Sequence, residues 1–227
     1  MMADHLYGFF LLFSNPYLIV CIGIIGFIFI DQRIFGLVLL ITTFSMALNP
    51  YLKILWHVPL NPELQKEGFA FPSGHTQNAS VFWFMLALQI GNNNFTKLCI
   101  LLMAVCVSAI FHFRFHDWPE IAAGFSFAGI IVIFFHYLLE FLDGKKIKWY
   151  NVSYILVVVE LCILFFLLKD VSKYSWLVKP IVFSLVLPTF ISMNLGRYLK
   201  FITNSARLLI IKTRLELKNW KVINKID

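Results

Sequence analysis

Charge is scarce in this chain. Asp, Glu, Lys and Arg make up 14% of its 227 residues, where a soluble domain carries about 25%. Acidic residues are the scarcest, 12 against 19 Lys and Arg. With 60% hydrophobic residues and a mean hydropathy of +0.81, the shortage excludes a water-soluble globular domain and points to an all-α integral membrane protein. Cysteine is sparse too. Cys21, Cys99, Cys106 and Cys162 lie in apolar runs without Cys-x-x-Cys spacing, so they read as small buried hydrophobes and not as a disulfide framework or metal site. No basic region precedes the first apolar run and no small-residue cleavage site follows it, so that run is expected to stay as an anchor. Internal repeats, low-complexity stretches and groove-reading modules are lacking as well, and the net charge of +7 therefore does not imply nucleic acid.

What is abundant is apolar length. Phe alone accounts for 25 residues, which suits lipid-facing surfaces. A helix needs about 20 apolar residues to cross the hydrocarbon core. Candidate spans are Tyr17–Ile30, Ile34–Leu52, Thr76–Ile90, Phe95–Phe113, Ile121–Leu142, Tyr150–Leu168 and Leu177–Leu199, which gives six to seven. His5–Phe13 is too short to cross and is expected to lie in the interface or extend the first span. Residues 1–199 thus form one membrane domain.

With seven spans the connectors alternate sides, and the basic residues choose the orientation. One side collects Arg33, Lys97, Lys145, Lys146, Lys148 and the eight Lys and Arg from Arg197 to Lys225, thirteen of nineteen. That side is expected to be cytoplasmic. Residues 200–227 mix apolar and basic positions at roughly helical spacing, as in a basic amphipathic helix on an anionic leaflet.

The few polar residues fall in two islands on the opposite side, "FAFPSGHTQ" at Phe69–Gln77 and "FHFRFHDWPE" at Phe111–Glu120. Lys53 closes the second span, Ser73-Gly74-His75 opens the third, and His116 and Glu120 open the fifth, all at one membrane level. These residue types suit phosphoryl transfer. A Pro-Ser-Gly turn into a helix offers free N–H groups and the positive end of the dipole to an anion. Gly74 allows close approach, Ser73 adds a hydroxyl, and Lys53 adds a point charge. Two histidines divide into a nucleophile and a general acid. Glu120, four residues after His116, is placed to fix that imidazole's tautomer.

In this pattern the chain resembles the type-2 phosphatidic acid phosphatase family. That family's signature is Lys, six residues, Arg-Pro; then Pro-Ser-Gly-His; then Ser-Arg, five residues, His, three residues, Asp. "PSGH" stands intact at Pro72–His75, and His116 with Glu120 matches the third part with Glu for Asp. The resemblance covers about Asn49 to Gly129, and two spans before the first motif resemble the layout of the glucose-6-phosphatase branch. It implies a helical bundle of that family's type and a phosphatase acting on a lipid-linked phosphate or pyrophosphate. The active site would face the periplasm, lumen or exterior, and the C-terminus the cytoplasm. It implies His116 as a phosphohistidine-forming nucleophile, Glu120 as its orienter, His75 as the acid that protonates the leaving oxygen and later activates water, and Lys53, Ser73 and Gly74 as phosphate ligands. No cofactor or metal is implied, and the partners are the lipid phosphate and membrane lipids.

The chain departs from the signature at both arginines, whose positions fall on Leu60-Asn61 and Ala109-Ile110. Arg114 is the nearby arginine that takes over phosphate contact in this reading, with His57, His112 and Lys66 as further donors. Three alternatives stay open. One is a lipid phospho-headgroup transferase of the same fold. Another is an inactive lipid-phosphate binder. The third is a metal-dependent membrane hydrolase on His112, His116 and Glu120, which follow one another at i, i+4, i+8, although Pro119 argues against an unbroken helix there. Elsewhere, mid-span Glu160 is read as a polar helix contact, and Gly124, Ala128 and Gly129 as close-packing positions.

Overall fold

The computed structural model describes residues 2–62, 68–145 and 149–169, together with Leu177 and Val182. Among these the chain is helical, with a lone β-bridge between Pro59 and Phe69. Seven α-helices follow in order: α1 Met2–Leu11, α2 Pro16–Phe29, α3 Gln32–Trp56, α4 Gly74–Ile90, α5 Asn93–His112, α6 Trp118–Gly144 and α7 Trp149–Leu168. The expected span at Leu177–Leu199 and the tail 200–227 lie outside the described residues.

Local chemistry sets the boundaries. Asn15 Oδ1 accepts from Tyr17 N at 2.9 Å and Pro16 occupies the first turn of α2, a pairing of cap and proline that starts a helix. The bend there is 56° between Asp4–Ser14 and Pro16–Phe29. Asp31 caps α3 through Ile34 N at 2.8 Å, and Asn92 caps α5 through Asn94 N and Phe95 N, both at 3.0 Å. Gly91, with φ +66°, ends α4 in the left-handed conformation that glycine adopts freely.

Three helices, α3, α5 and α6, are long and apolar enough to cross a bilayer, and the bent α1–α2 pair taken as one span brings the number to four. The expected first span, Tyr17–Ile30, falls on α2, which has only 14 residues and reaches crossing length only when taken together with α1. α4, with 17 residues, and the apolar stretch Ile155–Leu167 of α7 are shorter than a full crossing.

α3 and α4 form the middle of the bundle. α3 packs on α2, α4 and α7, and α4 packs on α5 and α6 as well. Leu37 through Ile41 of α3 and Ala79, Val81, Phe82 and Met85 of α4 are almost fully buried. By contrast α5 and α6 carry exposed outer faces such as Leu98, Leu101, Ile130, Ile133 and Phe134. In water each such side chain would forgo about 1.5–3 kcal/mol of burial, and in lipid it forgoes none. At the far end from the polar islands, Arg33 Nη2 donates to Asp143 Oδ1 at 2.8 Å, tying the start of α3 to the end of α6.

Gly124 explains how closely α6 lies on α4. A Cβ there would stand 2.8 Å from Ser73 O and 3.0 Å from Thr76 Cβ. Ala128 is fully buried in the same seam. Gly129 differs from expectation, since it has open space where a Cβ would sit and contributes nothing to packing. Glu160 is buried in α7 and meets Thr43 Oγ1 of α3 at 3.0 Å, a polar helix contact.

Candidate functional site

The two islands meet where α4 and α6 begin. Ser73 N donates to Glu120 O at 3.0 Å, so the Pro-Ser-Gly turn and the first turn of α6 are bonded directly. Glu120 is the third residue of α6, a position where a carboxylate is favoured by the helix dipole. Its Oε2 accepts from Asp117 N at 3.3 Å and lies 2.6 Å from His116 Nδ1. With Nδ1–H directed at the carboxylate, the neutral ring keeps its lone pair on Nε2. The side chains of His116 and Glu120 are 5% and 15% exposed, so this pair is shielded from competing water.

His75, the second residue of α4, places its ring 6.3 Å from that of His116, centroid to centroid, and 6.3 Å from Phe115 in a near-parallel stack. The two imidazoles are tilted by 55° to one another and border the same cleft, so a group bound there can meet both rings. Both rings line a cleft of about 440 Å³ together with Lys53, Gly74 and Asn78, with Leu11, Pro16, Leu60 and Phe115 as its apolar wall. Lys53 Nζ donates to Phe69 O at 2.6 Å. The apolar wall comes from the α1–α2 bend, the loop before α4 and the turn before α6, so the cleft sets an apolar side against a polar one that carries Lys53.

Two expected phosphate ligands are placed differently from the sequence expectation. Ser73 is fully buried, and its hydroxyl serves as the N-cap of α4: it lies 3.0 Å from Thr76 Oγ1 and accepts from Thr76 N at 3.4 Å. The dipole and the Gly74 backbone remain at the cleft, whereas the hydroxyl is spent on the helix start. Arg114 lies in the turn between α5 and α6 and lines two hollows beside the cleft, of about 650 and 400 Å³, both bordered by His116 and Asp117. It has φ +51°. Phe115 N donates to Ile110 O at 3.1 Å and Arg114 N to Phe111 O at 3.0 Å, the two bonds of a Schellman ending with Arg114 where glycine is usual.

His112, the last residue of α5, stacks on Tyr7 at 4.4 Å and pairs with Asp4 at 3.1 Å, which ties α1 to the same rim. His57 ends α3 with φ +52° and packs on the Phe69 ring. Lys66 lies outside the described residues. The i, i+4, i+8 helix required for metal ligation by His112, His116 and Glu120 does not form, because α5 ends at His112 and α6 begins at Trp118. Among the described residues no three His, Cys, Asp or Glu side chains converge as a metal-binding group.

Sequence reasoning missed the polar group behind the cleft. Asn49 and Ser45 of α3 bond to Gln77 and Asn78 of α4, and all four are buried. A signal was present: Asn78 stands three residues after His75 and four after Gly74, on the same helical face. Comparison with protein-family models, curated proteins and solved structures finds no match to this chain.

Proposed function

We propose that this chain is a multi-pass membrane phosphatase that hydrolyses a lipid-linked phosphate or pyrophosphate through a phosphohistidine. Its fold in this reading is the six- to seven-span bundle of type-2 phosphatidic acid phosphatases, with the cleft on the periplasmic, lumenal or extracellular side and the C-terminus in the cytoplasm. The observation that carries the proposal is the acid-held imidazole: His116 bonded to Glu120 at 2.6 Å and facing His75 across 6.3 Å, beside Lys53 and the start of α4.

In the first step His116 Nε2 attacks phosphorus and the bond to the leaving oxygen breaks. His75 in its protonated form gives that oxygen its proton. Glu120 stabilises the positive charge that forms on the His116 ring. In the second step His75, now neutral, takes a proton from water, whose oxygen attacks phosphorus and returns His116 to its starting state. Lys53 Nζ and the N–H groups at the start of α4 hold the non-bridging oxygens as charge spreads over them. The apolar wall favours a leaving group that carries acyl or prenyl chains, a lipid alcohol or a prenyl phosphate, over a fully polar one.

One observation favours a second reading, the lipid phospho-headgroup transferase of the same fold. Lys53 is the one Lys or Arg among the described residues lining the cleft, and a phosphodiester carries less charge than a phosphomonoester. Phosphate release from a panel of lipid phosphates and pyrophosphates, with and without EDTA, separates the possibilities. Release that survives EDTA and disappears in His116→Ala is the expected result. EDTA-sensitive release would overturn the proposed mechanism in favour of a metal-dependent hydrolase. Absence of release, with headgroup exchange onto an alcohol acceptor, would establish the transferase.

A further inference from the structure

The buried polar group behind the cleft has a direction, and that direction ends in the cleft. Asn49 Nδ2 approaches Pro72 O at 3.3 Å. A carbonyl oxygen can only accept, so this atom is the donating amide nitrogen. The same nitrogen donates to Gln77 Oε1 at 2.9 Å, which makes the other end of Gln77 its NH₂. That end approaches Ser45 O at 3.5 Å, again an obligate acceptor, and Ser45 Oγ at 3.2 Å. The Ser45 hydroxyl accepts there, and its own proton is directed at Asn78 Oδ1 at 2.7 Å. Two backbone carbonyls thus fix the polarity of the whole chain of bonds from Asn49 to Asn78.

The consequence falls on Asn78 Nδ2. Asn78 is only 7% exposed, lines the cleft beside Lys53, Gly74, His75 and His116, and its oxygen is already spent on Ser45. Its NH₂ makes no hydrogen bond among the described residues, yet it is not one of the buried polar atoms sealed away from any partner. An amide donor this buried carries a desolvation cost unless something accepts from it. Its polar neighbours in the cleft, Lys53, the Gly74 backbone, His75 and His116, are groups suited to an anion.

We propose that Asn78 is a phosphate-binding residue of this cleft, donating from Nδ2 to a non-bridging oxygen, with Ser45, Gln77 and Asn49 as the positioning relay that keeps the nitrogen turned to the ligand. The inference rests on the phosphoryl-transfer reading and identifies a donor that the family signature does not contain. A neutral amide with a fixed direction takes up part of the contact that the absent arginines leave open. It does so without adding charge, so the ligand it fits is a tetrahedral oxyanion with a non-bridging oxygen free to accept.

Orthovanadate binding to the purified full-length protein in detergent, measured by calorimetry, tests this. Asn78→Asp keeps the acceptor for Ser45 and replaces the donor by a carboxylate oxygen, so affinity is expected to fall about a hundredfold with an unchanged melting temperature. Asn78→Ala is expected to lose about tenfold. Binding by Asn78→Asp within about threefold of wild type would overturn the role of Asn78 and leave the phosphoryl-transfer reading standing. A wild-type protein that binds neither orthovanadate nor inorganic phosphate would overturn both. Should Asn78→Asp not fold, Ser45→Ala decides: a loss of about tenfold supports the relay, and unchanged affinity overturns it.

Discussion

Glu120 Oε2 lies 2.6 Å from His116 Nδ1, and because Glu120 O also accepts from Ser73 N at 3.0 Å, one residue joins the imidazole to the Pro-Ser-Gly turn. The side chain sets the chemistry of the histidine, and the backbone sets its distance from His75. These two functions separate in the Glu120→Gln variant. Gln keeps the backbone bond and a polar side chain at the start of α6, yet it cannot hold an imidazolium as a carboxylate does. Turnover is expected to fall about a hundredfold or more with little change in KM. Stability should stay within about 1 kcal/mol. Steady-state kinetics beside a thermal melt reads both, and a variant with wild-type turnover would remove Glu120 from the mechanism.

Arg114 offers a test of function against stability. A non-glycine residue in the left-handed region carries about 1–2 kcal/mol of strain, and Arg114 sits there at φ +51° in a helix ending that glycine would suit. Arg114→Gly relieves the strain, partly offset by the added freedom of the unfolded chain. The melting temperature is expected to rise by about 2 °C. If the guanidinium contributes to binding at the rim, lipid-phosphate turnover falls in the same variant. A stabilised protein with undiminished turnover would show that Arg114 is only a helix stop.

Gly124 sets the contact between the helices that carry the two histidines. Gly124→Ala places a Cβ 2.8 Å from Ser73 O, a backbone atom that cannot rotate away. The start of α4 must then move off α6, at about 1–3 kcal/mol. Turnover is expected to drop together with stability, because the spacing of His75 and His116 depends on this contact. Gly129→Ala on the same helix meets open space and should leave both unchanged.

Much of the site is written in short stretches of sequence. Pro72–His75 is legible because a turn and a helix start are local events, and Glu120 follows from its four-residue offset to His116. Pro119 correctly marks a break: the chain turns through Phe113–Asp117 before α6 starts. The relay was not legible in the same way. Ser45 and Asn49 reach Asn78 and Gln77 across 33 and 28 residues, and only the packing of α3 on α4 brings them together. Ser73 reads as a phosphate ligand from its motif, but every helix start needs a cap and its hydroxyl meets that need first. The extent of α4 was legible, since the expected Thr76–Ile90 lies within Gly74–Ile90 and shares its last residue.

Glu160 gives the last prediction, one of unchanged activity. It is an acid in the apolar stretch of α7, 1% exposed, with Oε1 near Thr43 Oγ1 at 3.0 Å and Oε2 without a partner among the described residues. Ionisable groups at such depth are often functional. Here, however, the contact joins α7 to α3, Glu160 does not line the cleft, and among the described residues it shares no hydrogen bond with His75, His116 or Lys53. A side-chain hydrogen bond between membrane helices contributes only about 0.6 kcal/mol on average. Glu160→Gln retains that bond and supplies a neutral amide, so stability is expected to stay within about 1 kcal/mol and phosphate release to match wild type. A large loss of release with the fold intact would make Glu160 part of the reaction and would require a route from α7 to the cleft that passes through Thr43.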